Sequence, residues 1–270
     1  MLLTKKEKYA LISLFVVLIA VFTFLDLPFT KLVFDRDSLF GRFFWVFGEL
    51  PSTFIGTAGF AFLAMSYTKN NNIILILNIL IFGLLSILLG LLMGFQVLHY
   101  LEFEVMPFAL MGSLISLLLL YVSSRMSIEK KKHLRIYAII VVLTVFLSIL
   151  IPNIIKILWA RPRYRIFNGD DSLFRAWYDR SGITNNDDWK SFPSGHSALS
   201  TSILLYTFLP QLFDKLKGKE RQIMFFCSVW IVLVMLSRVV MGDHFVTDTL
   251  FGTGITLLLF AGFKKLFLKQ

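Results

Sequence analysis

The chain has 270 residues; 57% are apolar, only 16% are charged, and the mean hydropathy is +0.75. A soluble domain carries roughly 25% charged residues, so the deficit points to a bilayer. A net charge of +10 in a soluble protein would suggest nucleic acid, but here the charges sit in short clusters between apolar runs, which favours a membrane and no nucleic-acid partner. Cys227, the sole cysteine, lies in an apolar run, so a disulfide framework and a cysteine metal site are excluded.

A spanning helix needs roughly 20 mainly apolar residues. Eight runs are read as spans: 9–25, 52–67, 73–95, 106–124, 136–155, 196–212, 222–240 and 246–263. The first follows Lys5, Lys6 and Lys8 and is followed by Asp26-Leu27-Pro28-Phe29 rather than a small-residue cleavage site, which predicts a retained anchor. Segment 26–50 is rich in aromatics (Phe40, Phe43, Phe44, Trp45 and Phe47) and is expected to lie in the membrane interface. The second run is short and holds Gly56 and Gly59. After the fifth run comes a polar loop, 164–190, long enough to cover a site. The expected fold is all-α: a polytopic transmembrane bundle of about eight helices. N-terminal helices would occupy 1–135, and a core would occupy 136–270.

Eight crossings put both termini on one side, and that side collects 16 of the 27 Lys and Arg but 4 of the 17 acids. The positive-inside rule makes it cytoplasmic and predicts an external 164–190 loop. Six of the remaining basic residues fall in one outer stretch: Lys156, Arg161, Arg163, Arg165, Arg175 and Arg180. Two readings stand: an anion site, or a solvated loop neutralised by Asp170, Asp171, Asp179, Asp187 and Asp188.

Three stretches hold the residues suited to chemistry. Lys156-Ile-Leu-Trp-Ala-Arg161-Pro162-Arg163-Tyr164 ends the fifth span, and Phe192-Pro193-Ser194-Gly195-His196-Ser197 opens the sixth. Ser237-Arg238-Val-Val-Met-Gly242-Asp243-His244-Phe-Val-Thr-Asp248 joins the seventh and eighth. The topology brings all three to the outer face. Phosphoryl transfer needs cations and N–H donors on the equatorial oxygens, a nucleophile in line, and an acid for the leaving oxygen. Lys156, Arg163 and Arg238 supply charge. Ser194 and Gly195 lead into a helix whose first N–H groups suit an anion. His244 and Asp248, at i and i+4, are expected to share a helical face, so that the carboxylate fixes the imidazole. His196 remains as proton donor. Taken singly, each has a plainer reading as a cap, a headgroup contact or a surface pair; their convergence on one membrane face favours chemistry.

These stretches resemble the signature of the type 2 phosphatidic acid phosphatase superfamily: K-x6-R-P, then P-S-G-H, then S-R-x5-H-x3-D. The second matches at Pro193-Ser194-Gly195-His196, and the third at Ser237-Arg238, His244 and Asp248. The first matches at Lys156 and Arg163, but Tyr164 stands where proline is expected, and Arg161-Pro162 is spaced too closely. The resemblance covers roughly 136–260 and implies a metal-independent lipid phosphatase with no cofactor. It implies catalytic His244, His196 and Asp248, with His244 forming a phosphohistidine. Lys156, Arg163, Ser194, Gly195 and Arg238 would bind phosphate. Asp243 falls outside the pattern and reads as a local solvated acid or a pKa influence rather than a catalytic group. The expected partners are a phosphorylated lipid and the bilayer. Undecaprenyl diphosphate is the first candidate substrate, with phosphatidylglycerol phosphate and phosphatidate as alternatives. A phosphotransferase of the same superfamily, or a non-enzymatic lipid transporter, are the competing functions.

Overall fold

A computed structural model describes residues 4–67, 72–101 and 105–268, without the side chains of 96–109. Among the described residues there are ten α-helices, five short 3₁₀ turns and no strand. The all-α expectation holds. Six helical segments are long and apolar enough to cross a membrane: Lys5–Val33, Leu39–Met65, Asn72–Phe95, Ile128–Ile166, Glu220–Val240 and Val246–Phe267. Of the eight expected runs, 106–124 lies in a helix over Val105–Ser124, whose described side chains begin at Leu110, and 196–212 is broken by a 3₁₀ stretch.

Helix α1 (Lys5–Val33) opens with a capping box, in which Glu7 N donates to Thr4 Oγ1 at 3.2 Å and Thr4 N to Glu7 Oε2 at 2.6 Å. It continues through Pro28, eight residues past the expected end of the run at 25, and buries Asp26 and Thr30. Helix α2 (Leu39–Phe47) packs against α9 (Glu220–Val240), where Gly41 leaves room for the Met241 side chain. Segment 26–50 begins within α1, and of its aromatics Phe44 is buried while Phe43 is exposed: the Phe44 ring meets Trp230 edge-on, and Trp230 Nε1 donates to Gly48 O at 2.9 Å.

The short glycine-bearing run forms α3 (Leu50–Met65), a well-buried helix. A Cβ at Gly56 would come within 2.9 Å of both Val145 and Leu89, so the glycine is what lets α3 reach α4 (Asn72–Leu101) and α6 (Ile128–Trp159). Helix α5 (Val105–Ser124) meets α4 with Gly90 and Gly112 backbone to backbone, and Ser116 Oγ donates to Ser86 O at 3.0 Å. Small residues and hydroxyl bonds are the usual means of joining helices in lipid, where apolar burial gives no drive. Leu11, Ile12, Val16, Leu80, Leu84, Leu114 and Phe226 face outward from several helices, as a bilayer solvent permits.

Helix α6 contains Pro152 and ends at Ala160, whose left-handed backbone (φ 53°, ψ 47°) turns the chain sharply. Helix α7 (Gly195–Thr201) runs through a 3₁₀ stretch, Ser202–Phe208, into α8 (Leu209–Leu212). In α7 and that stretch, Ser200, Thr201 and Thr207 hydroxyls donate back to carbonyls three or four residues earlier, a pattern that bends helices. Helix α10 (Val246–Phe267) packs on α7 through Gly252, whose missing side chain admits the Ser194 carbonyl.

Candidate active site

The last turn of α6 delivers Lys156, and the turn at Ala160 sends the next residues back across the bundle end. Arg161 is fully buried there. Its Nη1 donates to Asp248 Oδ1 at 2.5 Å and to Thr247 Oγ1 at 3.0 Å, and its Nη2 donates to Asp26 Oδ2 at 3.0 Å. Its Nε donates to Arg175 O at 2.8 Å, and the guanidinium lies 4.3 Å from the centre of the Phe245 ring. Asp26 also accepts from Thr247 N at 3.0 Å and from the Thr247 hydroxyl. One guanidinium thus ties α1 to the start of α10. An isolated buried carboxylate would be costly, and a shared arginine fork is the means by which two are held.

Arg163 takes the opposite path. Its N–H donates to Asp188 O at 2.8 Å, and its side chain enters a cavity of about 700 Å³. Lys156, Gly195, His196 and His244 line the same cavity. Arg163 Nη2 bonds Asp187 at 3.1 Å, while its buried Nε has no hydrogen-bond partner among the described residues. A Cβ on Gly195 would lie 3.6 Å from Lys156 Nζ, so the α7 start and the lysine meet directly. Five of the eight expected residues are therefore together. The other three, Ser194, Arg238 and Asp248, stand behind the wall. Ser194 caps α7, accepting from Ser197 N at 3.2 Å, and its own N–H donates to Asp248 O at 2.9 Å. Arg238 Nη2 donates to Gly41 O at 3.0 Å.

The expected His244–Asp248 contact differs. Gly242, with φ 67°, keeps the chain out of helix until Val246, so the two residues do not share a helical face. His244 Nδ1 lies 3.9 Å from Asp248 Oδ2 but 2.6 Å from Ser191 O. A carbonyl only accepts, so Nδ1 carries the proton and Nε2 the lone pair. Asp248 Oδ2 in turn accepts from Ser191 Oγ at 2.6 Å and from Phe245 N at 2.8 Å. The carboxylate therefore orients the histidine through Ser191 and the helix start rather than directly. Burial first, and then the charges of Lys156 and Arg163, hold the His244 imidazole well below the ordinary histidine range.

Asp243 is not a solvated acid. It is buried, and its carboxylate meets Arg165 at 2.7 Å, Arg36 at 3.1 Å, Arg238 at 3.5 Å and Arg163 at 3.7 Å. It gathers the arginines that surround the cavity. The 164–190 loop closes over this cluster, with Arg165 also holding Asp188 at 2.8 Å. Participants that went unassigned in the sequence include Asp26, Arg161 and Ser191, together with Trp45 and Glu49, which line the cavity. Asp26 carried a signal, because an acid at the end of a spanning run is costly enough to be functional by default.

Tyr164, in place of the expected proline, packs edge-on against Phe34 at 5.0 Å and also meets Phe167 and Phe245. Arg163 already has the extended backbone (φ −83°, ψ 144°) that a following proline would impose. Tyr164→Pro should therefore keep kcat/KM within about tenfold, a barrier change near 1.4 kcal/mol. A larger loss would assign the placement of Arg163 to the aromatic packing instead.

Residues 137–270 match the PAP2 superfamily. Phosphatidylglycerophosphatase B of Bacillus subtilis (strain 168) is 40% identical over 72 residues, which cover 26% of this chain and 36% of that relative. The matched stretch thus spans about a third of the relative's length. No solved structure matches the chain. The three motif stretches meet at one end of a multi-pass helical bundle, and all three fall within residues 137–270, which carry a PAP2 superfamily domain.

Proposed function

We propose that the chain hydrolyses phosphate monoesters or diphosphates of membrane lipids through a phosphohistidine on His244. His244 Nε2 attacks phosphorus as the bond to the leaving oxygen breaks, and His196 gives that oxygen its proton. Water then attacks the phosphohistidine, His196 takes a proton from the water, the P–N bond breaks, and orthophosphate leaves. Lys156 and Arg163 hold the equatorial oxygens without a metal, with the α7 start at Gly195 beside them, and Arg238 adds charge from behind. The observation that carries this reading is the placement of His244, whose Nδ1 lies 2.6 Å from Ser191 O, which leaves Nε2 as the nucleophile in a cavity lined by Lys156 and Arg163.

The cavity continues from its charged end to Leu89, Leu92 and Phe95 of α4, which supports a lipid over a small soluble ester. The name of the Bacillus relative adds weight to phosphatidylglycerol phosphate. Undecaprenyl diphosphate and phosphatidate share its chemistry. Purified full-length protein, given these three lipids with EDTA present, should release orthophosphate from at least one. Release from none, or release that survives in His244→Ala, would end the proposal.

The excess of Lys and Arg on the side of both termini supports a site at the outer face. Ser172 and Lys130 are both exposed. Introduced as Ser172→Cys and Lys130→Cys in intact cells, they should react with an impermeant maleimide from outside and only after permeabilisation, respectively. The reverse pattern would invert the orientation.

A further inference from the structure

Glu49 stands at the N-cap of α3, outside the stretch that matches the superfamily. Its side chain lines the cavity, and its Oε1 lies 3.8 Å from His196 Nδ1. A carboxylate in a phosphate cavity repels the substrate, so its presence needs a reason. His196 has a second partner from the same corner, a hydrogen bond with the backbone of Trp45, in the last turn of α2. The last carbonyls of a helix carry its negative dipole end and favour a cation. Residues 45–49 thus bring a carboxylate and a backbone carbonyl to one imidazole. Burial first, then Arg238 from behind and Lys156 and Arg163 across the cavity, act against a protonated ring. No carboxylate lies at i+3 or i+4 of His196, where Leu199 and Ser200 stand, so its counterweight comes from a distant helix.

We infer that Glu49 is a positioning residue that orients His196 and keeps its proton in place for the leaving oxygen. This rests on the proposed reading of His196 as the acid. As the bond from phosphorus to the leaving oxygen breaks, the proton passes from His196 to that oxygen. The neutral ring then takes a proton from the attacking water. Glu49 stays ionised throughout and forms no bond to substrate.

The test compares two substrates on the full-length protein in detergent: dihexanoyl phosphatidate, with a poor alkoxide leaving group, and p-nitrophenyl phosphate, which needs little protonation. General acid catalysis contributes about 10²–10⁴-fold. Glu49→Gln should therefore lower kcat on the phosphatidate by about tenfold or more and on the nitrophenyl ester by less than about threefold. Glu49→Asp, which keeps the carboxylate, should lose less and in the same pattern, and it carries the comparison if Glu49→Gln does not fold. In a His196→Ala background, Glu49→Gln should add almost nothing, because the two act as a unit. Equal losses on both substrates, no loss, or additive losses with His196→Ala would overturn the inference. If His196→Ala itself falls equally on both substrates, the acid assignment has failed, and that result is read separately from the Glu49 arms.

Discussion

Arg161→Ala is expected to abolish most activity and to destabilise the fold together. Removing one partner of a buried ion pair costs about 3–5 kcal/mol, because the other is left charged and unpaired. Here two carboxylates, Asp26 and Asp248, would be left on opposite sides of the gap. The thermal midpoint in detergent should fall. Turnover should fall at least about a hundredfold, near 2.7 kcal/mol of barrier, because Asp248 sets both Ser191 and the start of α10. Arg161→Lys should not restore it, since a single ammonium cannot fork between two carboxylates and stack on Phe245. Arg163→Ala should also be severe in rate yet leave the thermal midpoint near wild type. Asp243 would keep Arg36, Arg165 and Arg238, and Asp187 is largely exposed. Loss of activity alone does not separate the two arginines; the thermal midpoint does. An Arg161→Ala protein of wild-type midpoint and rate would remove the buried clamp from the account.

The contrast between these arginines marks what the sequence could reveal. Lys156, Gly195, His196 and His244 were legible because each belongs to a short motif at a span end, and hydropathy with the charge pattern brought those ends to one face. Arg163 followed from its spacing to Lys156. Arg161, two residues away, looked like a misplaced copy of the same signal. Its partner Asp26 lies 135 residues earlier, and nothing local links them. The His244–Asp248 arithmetic failed for a backbone reason. It assumed helix through both residues, while Gly242 in the left-handed region delays the helix to Val246. Glu49 and Trp45 reach His196 through the packing of α2 and α3, which composition described only as aromatic and apolar. Asp243 was read as solvated because the sequence does not show that Arg36, some 200 residues away, completes its surroundings. The fold class was plain from hydropathy. The helix break at 202–208 was not, since its cause is a set of hydroxyl bonds within an apolar run.

His244→Ala should remove turnover of alkyl and nitrophenyl esters alike, by at least about a thousandfold, or about 4 kcal/mol of barrier. Without the imidazole no covalent intermediate forms, and a good leaving group gives no rescue. That uniform loss separates it from His196→Ala, which should recover part of the rate on the nitrophenyl ester. The pH profile follows from the same ring. Its protonation is disfavoured by burial and by the charges of Lys156 and Arg163, so the folded value lies below the usual one. The neutral, nucleophilic form is the one present above that folded value. The acid limb of kcat/KM in the free enzyme should therefore fall below the ordinary histidine range of roughly 6.5, while loss of the His196 proton sets the alkaline limb. Removing a positive neighbour by Lys156→Met should move that limb upward toward the ordinary range while lowering the rate. The intermediate itself can be trapped. Rapid quench with a radiolabelled substrate should leave acid-labile phosphate on the peptide that carries His244. Phosphate on His196 instead would exchange the two roles. No trapped phosphate, with inversion at a chiral phosphorus, would replace the covalent route by direct attack of water, and His244 would then serve as its base.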